Sequence, residues 1–412
     1  MIDSVLCTAP LTALIVDTNK GVRPCCVYDD AYLGSLKTEH IVNIINGKEW
    51  QDLKQKMYNK ELPKACVPCK EREDKTGWGL RHLFNQIGNN FFNVEGWDKE
   101  KITYMEFNGS NICNLACLHC NAGFSSRWVK DVSKAKTVFE TYDEDLQKRI
   151  AYMDALLIYT DDHKGRSTKM HLPDPELIIE NLKEIDLTYL KTLNFKGGEP
   201  FLNSETTAIL EHLDSQDILK NLDLSFSTNG TYITDQQVGL LDKCKHVAIN
   251  LSVDGTDSLF NYIRYGDAKF DDIEPTIQKL NQVSNIQICV QTAIMNYNIF
   301  NLLDIMHWTE ELSEKYNKVR SYPGFSNVIQ EPKYLSINTL SDNTRKELYD
   351  FYVQHNQHGN FEVVLTALKS NYIGDRYHND WIDYTNLMQT VRKNNILSIV
   401  PELEKEFHYV NG

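Results

Sequence analysis

Apolar and polar residues alternate along several short predicted strands, so that one side of each strand is polar. In LDLSFSTN, residues 222–229, leucine and phenylalanine alternate with aspartate and serine, and segments 246–253 and 286–293 repeat the pattern. A flat parallel sheet covered by helices on both faces would be apolar on both sides. The alternation instead predicts a curved sheet, with helices packed outside and a polar concave lumen inside.

Short strands alternate with helical stretches from Ile102 onward, which is typical of a parallel α/β sheet. Together with the polar lumen, this order predicts an α/β fold built as a partial (β/α)6 TIM-like barrel with a ligand in its mouth. A doubly wound open sheet fits the alternation less well. The predicted strands are 102–108, 192–196, 222–227, 246–253, 286–293 and 320–327.

The segments around these strands predict the domain organisation. Residues 1–100 carry the first five cysteines and are expected to form an auxiliary domain. The barrel is expected to span 101–330, with a charged helical insertion at about 125–172, because that segment is far longer than one crossover helix requires. Residues 331–412 are expected to form a C-terminal helical region.

The charge and hydropathy of the 412-residue chain narrow its partners. The net charge is −14 at pH 7, and a surface this acidic repels phosphate backbones, so no nucleic acid partner is expected. The chain has no apolar stretch of the roughly 18 to 20 residues that span a bilayer. Its first residues lack the basic start of a signal peptide. We therefore expect a cytoplasmic protein with no membrane partner.

Most of the ten cysteines lie in compact groups, which favours metal or redox chemistry over a disulfide framework. The tightest group, Cys113, Cys117 and Cys120, follows the strand predicted at 102–108. Three thiolates can bind three irons of a [4Fe–4S] cluster and leave the fourth iron without a protein ligand. Zinc is the alternative, although structural zinc sites usually take four ligands, typically from two Cys-x2-Cys pairs.

The spacing Cys113-x3-Cys117-x2-Cys120 resembles that of the radical S-adenosylmethionine superfamily. The resemblance implies that the open iron binds the methionyl group and that one electron cleaves the sulfonium to a 5′-deoxyadenosyl radical. It also implies an aromatic residue next to the adenine, a GGEP turn at the amino group and an STNG segment at the ribose. A residue with a hydroxyl group and an arginine at the methionyl carboxylate complete the implied contacts. These contacts fall on His119, Gly197, Gly198, Glu199, Ser227, Asn229, Ser252, Asp254 and Arg264.

The chemistry of these residues fits the implied contacts but leaves simpler interpretations open. Two glycines let a backbone approach a ligand closely, and Glu199 offers a negative partner for an ammonium group. A guanidinium such as that of Arg264 suits a carboxylate. GGEP and STNG could equally be ordinary turns, and Arg264 a solvated charge on a helix.

The N-terminal cysteines resemble the auxiliary-cluster modules called twitch and SPASM, which usually follow the barrel rather than precede it. In those modules a cysteine follows a Gly-x-x-Pro turn and a Cys-x2-Cys pair closes the set, as in GVRPCC and PKACVPC. The implied ligands are Cys7, Cys25, Cys66 and Cys69, with Cys26 as the alternate to Cys25. Four thiolates would fully ligate a second [4Fe–4S] cluster, and a four-cysteine zinc site remains the alternative.

The resemblance implies an enzyme that cleaves S-adenosylmethionine reductively and abstracts hydrogen from a substrate in the lumen. We expect a peptide or protein side chain as the substrate, as in the modification of ribosomal peptides, and a reductant such as a flavodoxin or ferredoxin. A small metabolite, such as a sugar, nucleoside or amino acid, is the alternative substrate. A non-catalytic iron–sulfur protein for electron transfer or redox sensing is the alternative function.

Polar residues on the lumen side of the strands are candidate substrate contacts or members of a hydrogen-bond network. Cys289 alternates with them and is a candidate hydrogen donor to a substrate radical, or else a small buried apolar residue. The other inward residues are Glu106, Asn194, Lys196, Asn250, Gln287 and Gln291.

Overall fold

The computed structural model describes most of the chain, namely residues 6–17, 21–28, 33–88, 101–150, 174–356 and 358–408. The chain divides into two compact units. The first consists of Met1–Ser110, His171–Phe226 and Gly239–Val247, and the second of Asn111–Met170, Ser227–Val238 and Ala248–Gly412.

The described residues form strands and helices that alternate from β3 onward. The strands are β1 (Ala13–Asp17), β2 (Gly21–Arg23), β3 (Tyr104–Asn108), β4 (Thr192–Lys196), β5 (Asp223–Thr228), β6 (His246–Ser252), β7 (Ile286–Ile294) and β8 (Gly324–Val328). The helices are α1 (Ala9–Thr12), α2 (Ile41–Ile45), α3 (Lys48–Tyr58), α4 (Val67–Thr76), α5 (Leu80–Gly88), α6 (Trp128–Phe139), α7 (Glu144–Ile150), α8 (Pro175–Leu182), α9 (Ser204–Ser215), α10 (Asp235–Leu241), α11 (Asp257–Ile263), α12 (Ile273–Leu280), α13 (Leu302–Lys315), α14 (Asp342–His355), α15 (Glu362–Leu368), α16 (Asp375–Arg392) and α17 (Glu404–Phe407).

The predicted α/β class is confirmed, and β3 to β8 lie at the six predicted strand positions with small differences at their ends. Helices α6 and α7 lie in the predicted insertion, whose residues 151–172 fall outside the described residues. The described residues from 331 onward form helices and turns. No helix among the described residues has the length and apolar character needed to cross a bilayer.

In the first unit the strands lie in the order β2-β1-β3-β4-β5. β1 is antiparallel to β2 and parallel to β3, and the pairings of β3 with β4 and of β4 with β5 are also parallel. Their register aligns Leu14, Met105, Leu193 and Leu224 in one row, and each of these side chains is at most 1% exposed. This row forms the apolar side of the sheet, as the alternation predicts.

Strands β1 and β2 are two elements that the sequence analysis does not predict. β1 is the apolar run ALIV with a final aspartate, and all five residues are buried. A short run that is apolar on both sides lacks the period-two signal and resembles part of a buried helix. Helix α3 lies close to this region, because the buried Trp50 donates from Nε1 to the carbonyl of Pro10 at 2.8 Å.

In the second unit the strand order is β6-β7-β8, and β7 and β8 are parallel. Ile249, Leu251, Ile288 and Val290 are at most 1% exposed, whereas the residues between them are partly accessible. Helix α16 packs against α6. Its buried Thr385 lies 2.6 Å from the Tyr297 hydroxyl, which joins α16 to the segment after β7.

Candidate iron–sulfur sites

The loop between β3 and α6 carries Cys113, Cys117 and Cys120 in the second unit. Cys117 is buried and the other two are half-buried. Burial raises the pKa of Cys117 and raises that of Cys120 to about 12, so both are thiols at neutral pH unless a cation takes the place of the proton. Positive and polar groups approach these sulfurs, with Arg264 Nη1 3.8 Å from Cys117 Sγ and Asn229 Nδ2 3.9 Å from Cys113 Sγ.

The backbone of this cysteine loop is tied to the end of α11 and to the segment that follows it. The amide of Ala116 donates to the carbonyl of Tyr265 at 2.6 Å, and that of Leu118 donates to the carbonyl of Ile263 at 2.9 Å. A Cβ atom at Gly266 would lie 2.2 Å from a carbonyl oxygen of the loop. Glycine is therefore needed there for the two segments to approach this closely.

Three successive carbonyls of the cysteine loop accept hydrogen bonds from distant side chains. The carbonyls of residues 116–118 accept from Arg392, Trp128 and Tyr384 at 2.7, 2.9 and 2.9 Å, respectively. Arg392 also forms an ion pair with Asp131 at 3.0 Å, with 1% of either side chain exposed. None of these four side chains is predicted from the sequence as part of the site.

Three of the six cofactor contacts predicted in the second unit line one cavity beside the cysteine loop. His119, Ser252 and Arg264 line about 930 Å³ of empty space, together with polar residues of β7 and β8 such as Gln291 and Asn327. The structure therefore brings together residues that are far apart in the sequence, within reach of Cys117. A concave site with several convergent polar groups has the character of a ligand site.

Asp254 is fully buried and binds Arg264 rather than facing solvent. Its Oδ2 lies 2.8 Å from Arg264 Nη2, and its Oδ1 accepts from the amide of Ala293 at 2.8 Å. His119 Nε2 lies 3.7 Å from the same Oδ2. Burial lowers the pKa of His119, so its imidazole is neutral at pH 7.

Two buried nitrogen atoms beside this cavity lack hydrogen-bond partners among the described residues, namely His119 Nδ1 and Arg264 Nε. A buried polar atom without a partner costs free energy, so such atoms are a mark of a missing ligand or water. The cavity residues therefore fit a polar ligand.

The STNG segment starts with the last two residues of β5 and contributes one side chain to the cysteine loop. Asn229 donates to Asn114 Oδ1 at 2.8 Å as well as approaching Cys113. Gly230 has φ of +69°, and a Cβ there would lie 2.0 Å from Leu251 Cδ1. Ser227 is half-buried. This segment is a tight turn that also presents Asn229 to Cys113.

The GGEP turn lies in the first unit, at the end of β4. Gly197 and Gly198 have φ of +80° and +50°, which glycine adopts without strain. Glu199 is 1% exposed, and its Oε1 accepts from the amide of Phe201 at 3.2 Å. Glu199 thus caps the short 3₁₀ helix Pro200–Leu202, and its predicted contact to an ammonium group remains a prediction.

The four predicted auxiliary cysteines line one space in the first unit, which we call the auxiliary cavity. Cys7, Cys25, Cys66 and Cys69 surround about 480 Å³ of empty space, whereas the lining does not include Cys26, which is exposed. Burial raises the pKa of each of the first three to about 12. The geometry therefore favours Cys25 over Cys26 as the ligand.

Local structure explains how these cysteines meet. Cys66 and Cys69 are three residues apart at the start of α4, which places both on one face of the helix. The turn that carries Cys25 is held by the buried Arg23, which donates to the carbonyl of Tyr28 at 3.2 Å and pairs with Asp17 at 3.1 Å.

The predicted lumen residues of the first unit form a hydrogen-bond network. Lys196 Nζ and the Tyr104 hydroxyl bond to Glu106 Oε2 at 2.8 and 3.1 Å, and Asn194 donates to Tyr104 at 2.7 Å. Glu106 Oε1 is buried with no partner among the described residues. The network is therefore almost, but not fully, satisfied.

The predicted lumen residues of the second unit include Cys289 and its neighbours. Cys289 is half-buried on β7, with Gln291 Nε2 3.2 Å from its Sγ. Its role as a hydrogen donor stays a prediction. Cys244 is buried, with its Sγ 3.4 Å from the carbonyl of Leu240, as expected for a small apolar residue.

The two groups of cysteines have the number of thiols that an open and a closed iron–sulfur cluster require. Among the described residues, no three His, Cys, Asp or Glu side chains converge closely enough to hold one metal ion. The cysteine ligands of a cubane each bind a different iron, so they need not converge on one point. Three cysteines beside a polar cavity, and four around a mostly apolar one, fit an open and a closed cluster, respectively.

Comparison with known proteins gives matches to two families. A profile of the radical SAM superfamily matches residues 107–309. A profile described as the SPASM iron–sulfur cluster-binding domain matches residues 7–70. The predicted N-terminal position of the SPASM module is thereby confirmed.

Two curated proteins are similar to parts of the chain. A probable GTP 3′,8-cyclase of Methanocaldococcus jannaschii is 26% identical over 126 residues, or 30% of this chain and 40% of that protein. The mycofactocin maturase MftC of Mycolicibacterium smegmatis is 23% identical over 190 residues, or 46% of this chain and 37% of that protein. The chain thus matches less than half the length of either relative.

Solved structures with similar folds include native anSMEcpe with bound AdoMet, at 17% identity and a TM-score of 0.37 over 62% of each chain. Another is Streptococcus suis SuiB bound to the precursor peptide SuiA, at 14% identity and a TM-score of 0.32 over 62% of this chain and 46% of that one. On the two profile matches, the chain belongs to the radical S-adenosylmethionine superfamily and carries an N-terminal SPASM iron–sulfur cluster-binding domain.

Proposed function

We propose that this chain is a radical S-adenosylmethionine enzyme that abstracts hydrogen from a peptide or protein side chain. The observation that carries the proposal is the position of the cysteine loop, which lies beside a polar cavity with unpartnered buried nitrogens. In this proposal Cys113, Cys117 and Cys120 hold a [4Fe–4S] cluster with one open iron. When bound, that cluster supplies the electron that cleaves the sulfonium of S-adenosylmethionine.

The residues of the cavity would bind and orient the cofactor. Arg264 brings a positive charge to within 3.8 Å of Cys117 Sγ, which offsets the negative charge of bound thiolates. One arm of its guanidinium is engaged by Asp254, so other N–H groups of Arg264, among them the unpartnered Nε, remain for the methionyl carboxylate. His119 Nδ1 is a second unpartnered group for the adenine side of the ligand.

The auxiliary cavity would hold a second [4Fe–4S] cluster on Cys7, Cys25, Cys66 and Cys69. Four thiolates leave no iron open for a substrate, which favours electron transfer over substrate binding for this cluster. An auxiliary cluster that accepts an electron from a product radical suits a net oxidation, such as dehydrogenation or cross-link formation.

The proposed peptide substrate rests on the family resemblance, since enzymes with SPASM modules often modify ribosomal peptides. The similarity to a protein named a mycofactocin maturase is compatible with this. The net charge of −14 would steer a basic peptide segment toward the protein. The similarity to a probable GTP 3′,8-cyclase supports a small metabolite as the second candidate.

The first experiment measures cluster content and cofactor cleavage. Anaerobically reconstituted protein should contain about eight irons per chain and, once reduced, should form 5′-deoxyadenosine from S-adenosylmethionine. Replacing Cys113, Cys117 and Cys120 with alanine should leave about four irons and abolish cleavage. Iron-rich protein that never forms 5′-deoxyadenosine would instead indicate an electron-transfer or redox-sensing protein, and zinc without iron would exclude both.

The second experiment separates the two substrate classes. Extract from cells of the native host grown in deuterated medium is divided by size into a peptide and protein fraction and a metabolite fraction. Each fraction is incubated with the reduced enzyme, and deuterium in 5′-deoxyadenosine is measured by mass spectrometry. Deuterium from the larger fraction supports a peptide substrate, whereas deuterium from the metabolite fraction alone contradicts it.

A further inference from the structure

An ion pair lines the auxiliary cavity together with the four cysteines. Glu73 and Arg81 form a two-point contact, in which Arg81 Nε donates to Glu73 Oε2 at 2.9 Å and Nη2 bonds to Oε1. Only 12% of the Glu73 side chain and 14% of the Arg81 side chain are exposed. Both charges are thus largely withdrawn from solvent at the wall of a mostly apolar space.

The sequence places this pair beside the cysteines through two short helices. Glu73 follows Cys69 by four residues on α4, so the carboxylate lies one turn beyond the ligand on the same face. Helix α4 ends at Gly77, whose φ is +73°. A Cβ at Gly79 would lie 3.3 Å from Glu73 Cβ, so a glycine there lets α5 begin close to α4 and brings Arg81 onto the carboxylate.

The charge of Arg81 acts on the cysteines themselves, since Arg81 and the thiols of Cys7 and Cys69 interact electrostatically. A cluster with four thiolate ligands is negatively charged and becomes more negative when it is reduced. In a mostly apolar cavity a nearby positive charge favours the reduced form, and a nearby carboxylate disfavours it. Net charge and burial are among the properties that set the potential of such clusters.

We propose that the Glu73–Arg81 pair sets the reduction potential of the auxiliary cluster, with Arg81 raising the potential and Glu73 lowering it. This inference rests on the proposed second cluster and states what controls its readiness to accept an electron. The competing interpretation is that the pair only joins α4 to α5. Under that interpretation, removing either charge would loosen the same contact and would not move the potential in opposite directions.

The test uses the full chain with Cys113, Cys117 and Cys120 replaced by alanine, so that only the auxiliary cluster remains. Its midpoint potential is measured by redox titration with electron paramagnetic resonance, which needs no substrate. Arg81→Gln should disfavour reduction by about tenfold, a fall of about 59 mV, and Glu73→Gln should favour it by a similar factor.

Two further variants serve as controls. Arg81→Lys keeps the charge and should stay near the starting potential even if the geometry changes. Asp74→Asn removes the same charge as Glu73→Gln one residue further along α4, but 62% of the Asp74 side chain is exposed, so its shift should be small.

The outcomes separate this inference from the proposed function. If the triple alanine chain binds no iron, both the second cluster and this role are excluded. If it binds about four irons but Glu73→Gln and Arg81→Gln shift the potential in the same direction or not at all, only the role of the pair is excluded. Shifts of opposite sign, with little change in the two controls, support the proposal.

Discussion

Arg264 and Asp254 form a buried ion pair, with 2.8 Å between Nη2 and Oδ2 and at most 8% of either side chain exposed. From the sequence, both residues are expected to contact the cofactor, and Arg264 to bind its carboxylate. In the structure the carboxylate of Asp254 already takes one arm of the guanidinium. Asp254 therefore acts through Arg264, which it orients toward Cys117 and the polar cavity.

We expect Asp254→Asn to destabilise the protein, because it leaves the buried guanidinium of Arg264 without its counter-charge. Breaking a buried ion pair by removing one partner costs about 3 to 5 kcal/mol. The free energy of unfolding from denaturant titration of the cluster-free protein measures this loss. Asp223→Asn, which breaks an exposed pair with Lys245, should cost less than about 1 kcal/mol. Equal losses in the two variants would contradict the role given to Asp254.

Arg392 is expected to govern how firmly the cysteine loop holds its cluster. Arg392→Met removes the hydrogen bond to the carbonyl of Ala116 and the closer of the two ion pairs of the buried Asp131. Asp131 keeps Arg127 Nη1 at 3.6 Å, so the loss should be smaller than the about 3 to 5 kcal/mol of a buried charge left unpaired. Iron release to a chelator should be faster than in the parent protein. Arg392→Met with Asp131→Asn should recover part of the stability, because the buried charge that lost its closer partner is then absent.

The recovery in the double variant should not restore slow iron release, since the bond to the loop carbonyl is still missing. If the double variant releases iron as slowly as the parent protein, the hydrogen bond to Ala116 has no part in holding the loop.

Strands β3 to β8 could be predicted because their signal is local. An alternation of period two lies within each strand and needs no knowledge of its neighbours. β1 lacks that signal, since Ala13, Leu14, Ile15 and Val16 are all buried. Its place in the sheet depends on pairing with β3, far along the chain, and such pairing follows from tertiary packing rather than from local propensity.

The cysteines of the candidate sites could be predicted from their spacing, but the residues that hold them could not. Arg392 and Tyr384 contact loop carbonyls 276 and 266 residues away in the sequence. Contacts at that separation leave no periodic pattern. The ion pair of Arg264 with Asp254 could not be predicted for a related reason. Spacing indicates which residues share a site, but it does not indicate which of them pair with each other.

Lys54 provides a prediction of pH dependence. It is 7% exposed on α3, and burial lowers its pKa from 10.5 to about 8. Between these values the unfolded chain binds more protons than the folded one, so stability should rise with pH from about 8 to about 10.5. Below pH 8 the full penalty applies, which is about 3 kcal/mol for a shift of this size.

Lys54→Met should therefore raise the free energy of unfolding below pH 8 and lose this advantage as the pH approaches 10.5. Denaturant titrations at several pH values provide the measurement. Lys56→Met, two residues away on the exposed side of α3, should show no such pH dependence. A gain for Lys54→Met that is constant with pH would show that packing, and not the buried charge, is responsible.

Cys25 and Cys26 are adjacent, yet they have different surroundings in the structure. Replacing each with alanine should therefore cause a different loss of iron. Cys25 lines the auxiliary cavity, whereas Cys26 is exposed and its carbonyl lies 3.4 Å from Arg23 Nη1. Cys25→Ala should lower the iron of the second cluster, about four per chain in the parent protein, because it removes one of the four thiolates that line this cavity. Cys26→Ala should keep the iron content of the parent protein.

Each variant is the other's control, since both delete one thiol from the same turn, and iron analysis after reconstitution distinguishes them. Retention of iron in Cys25→Ala together with its loss in Cys26→Ala would mean that the turn held by Arg23 rearranges when the cluster binds.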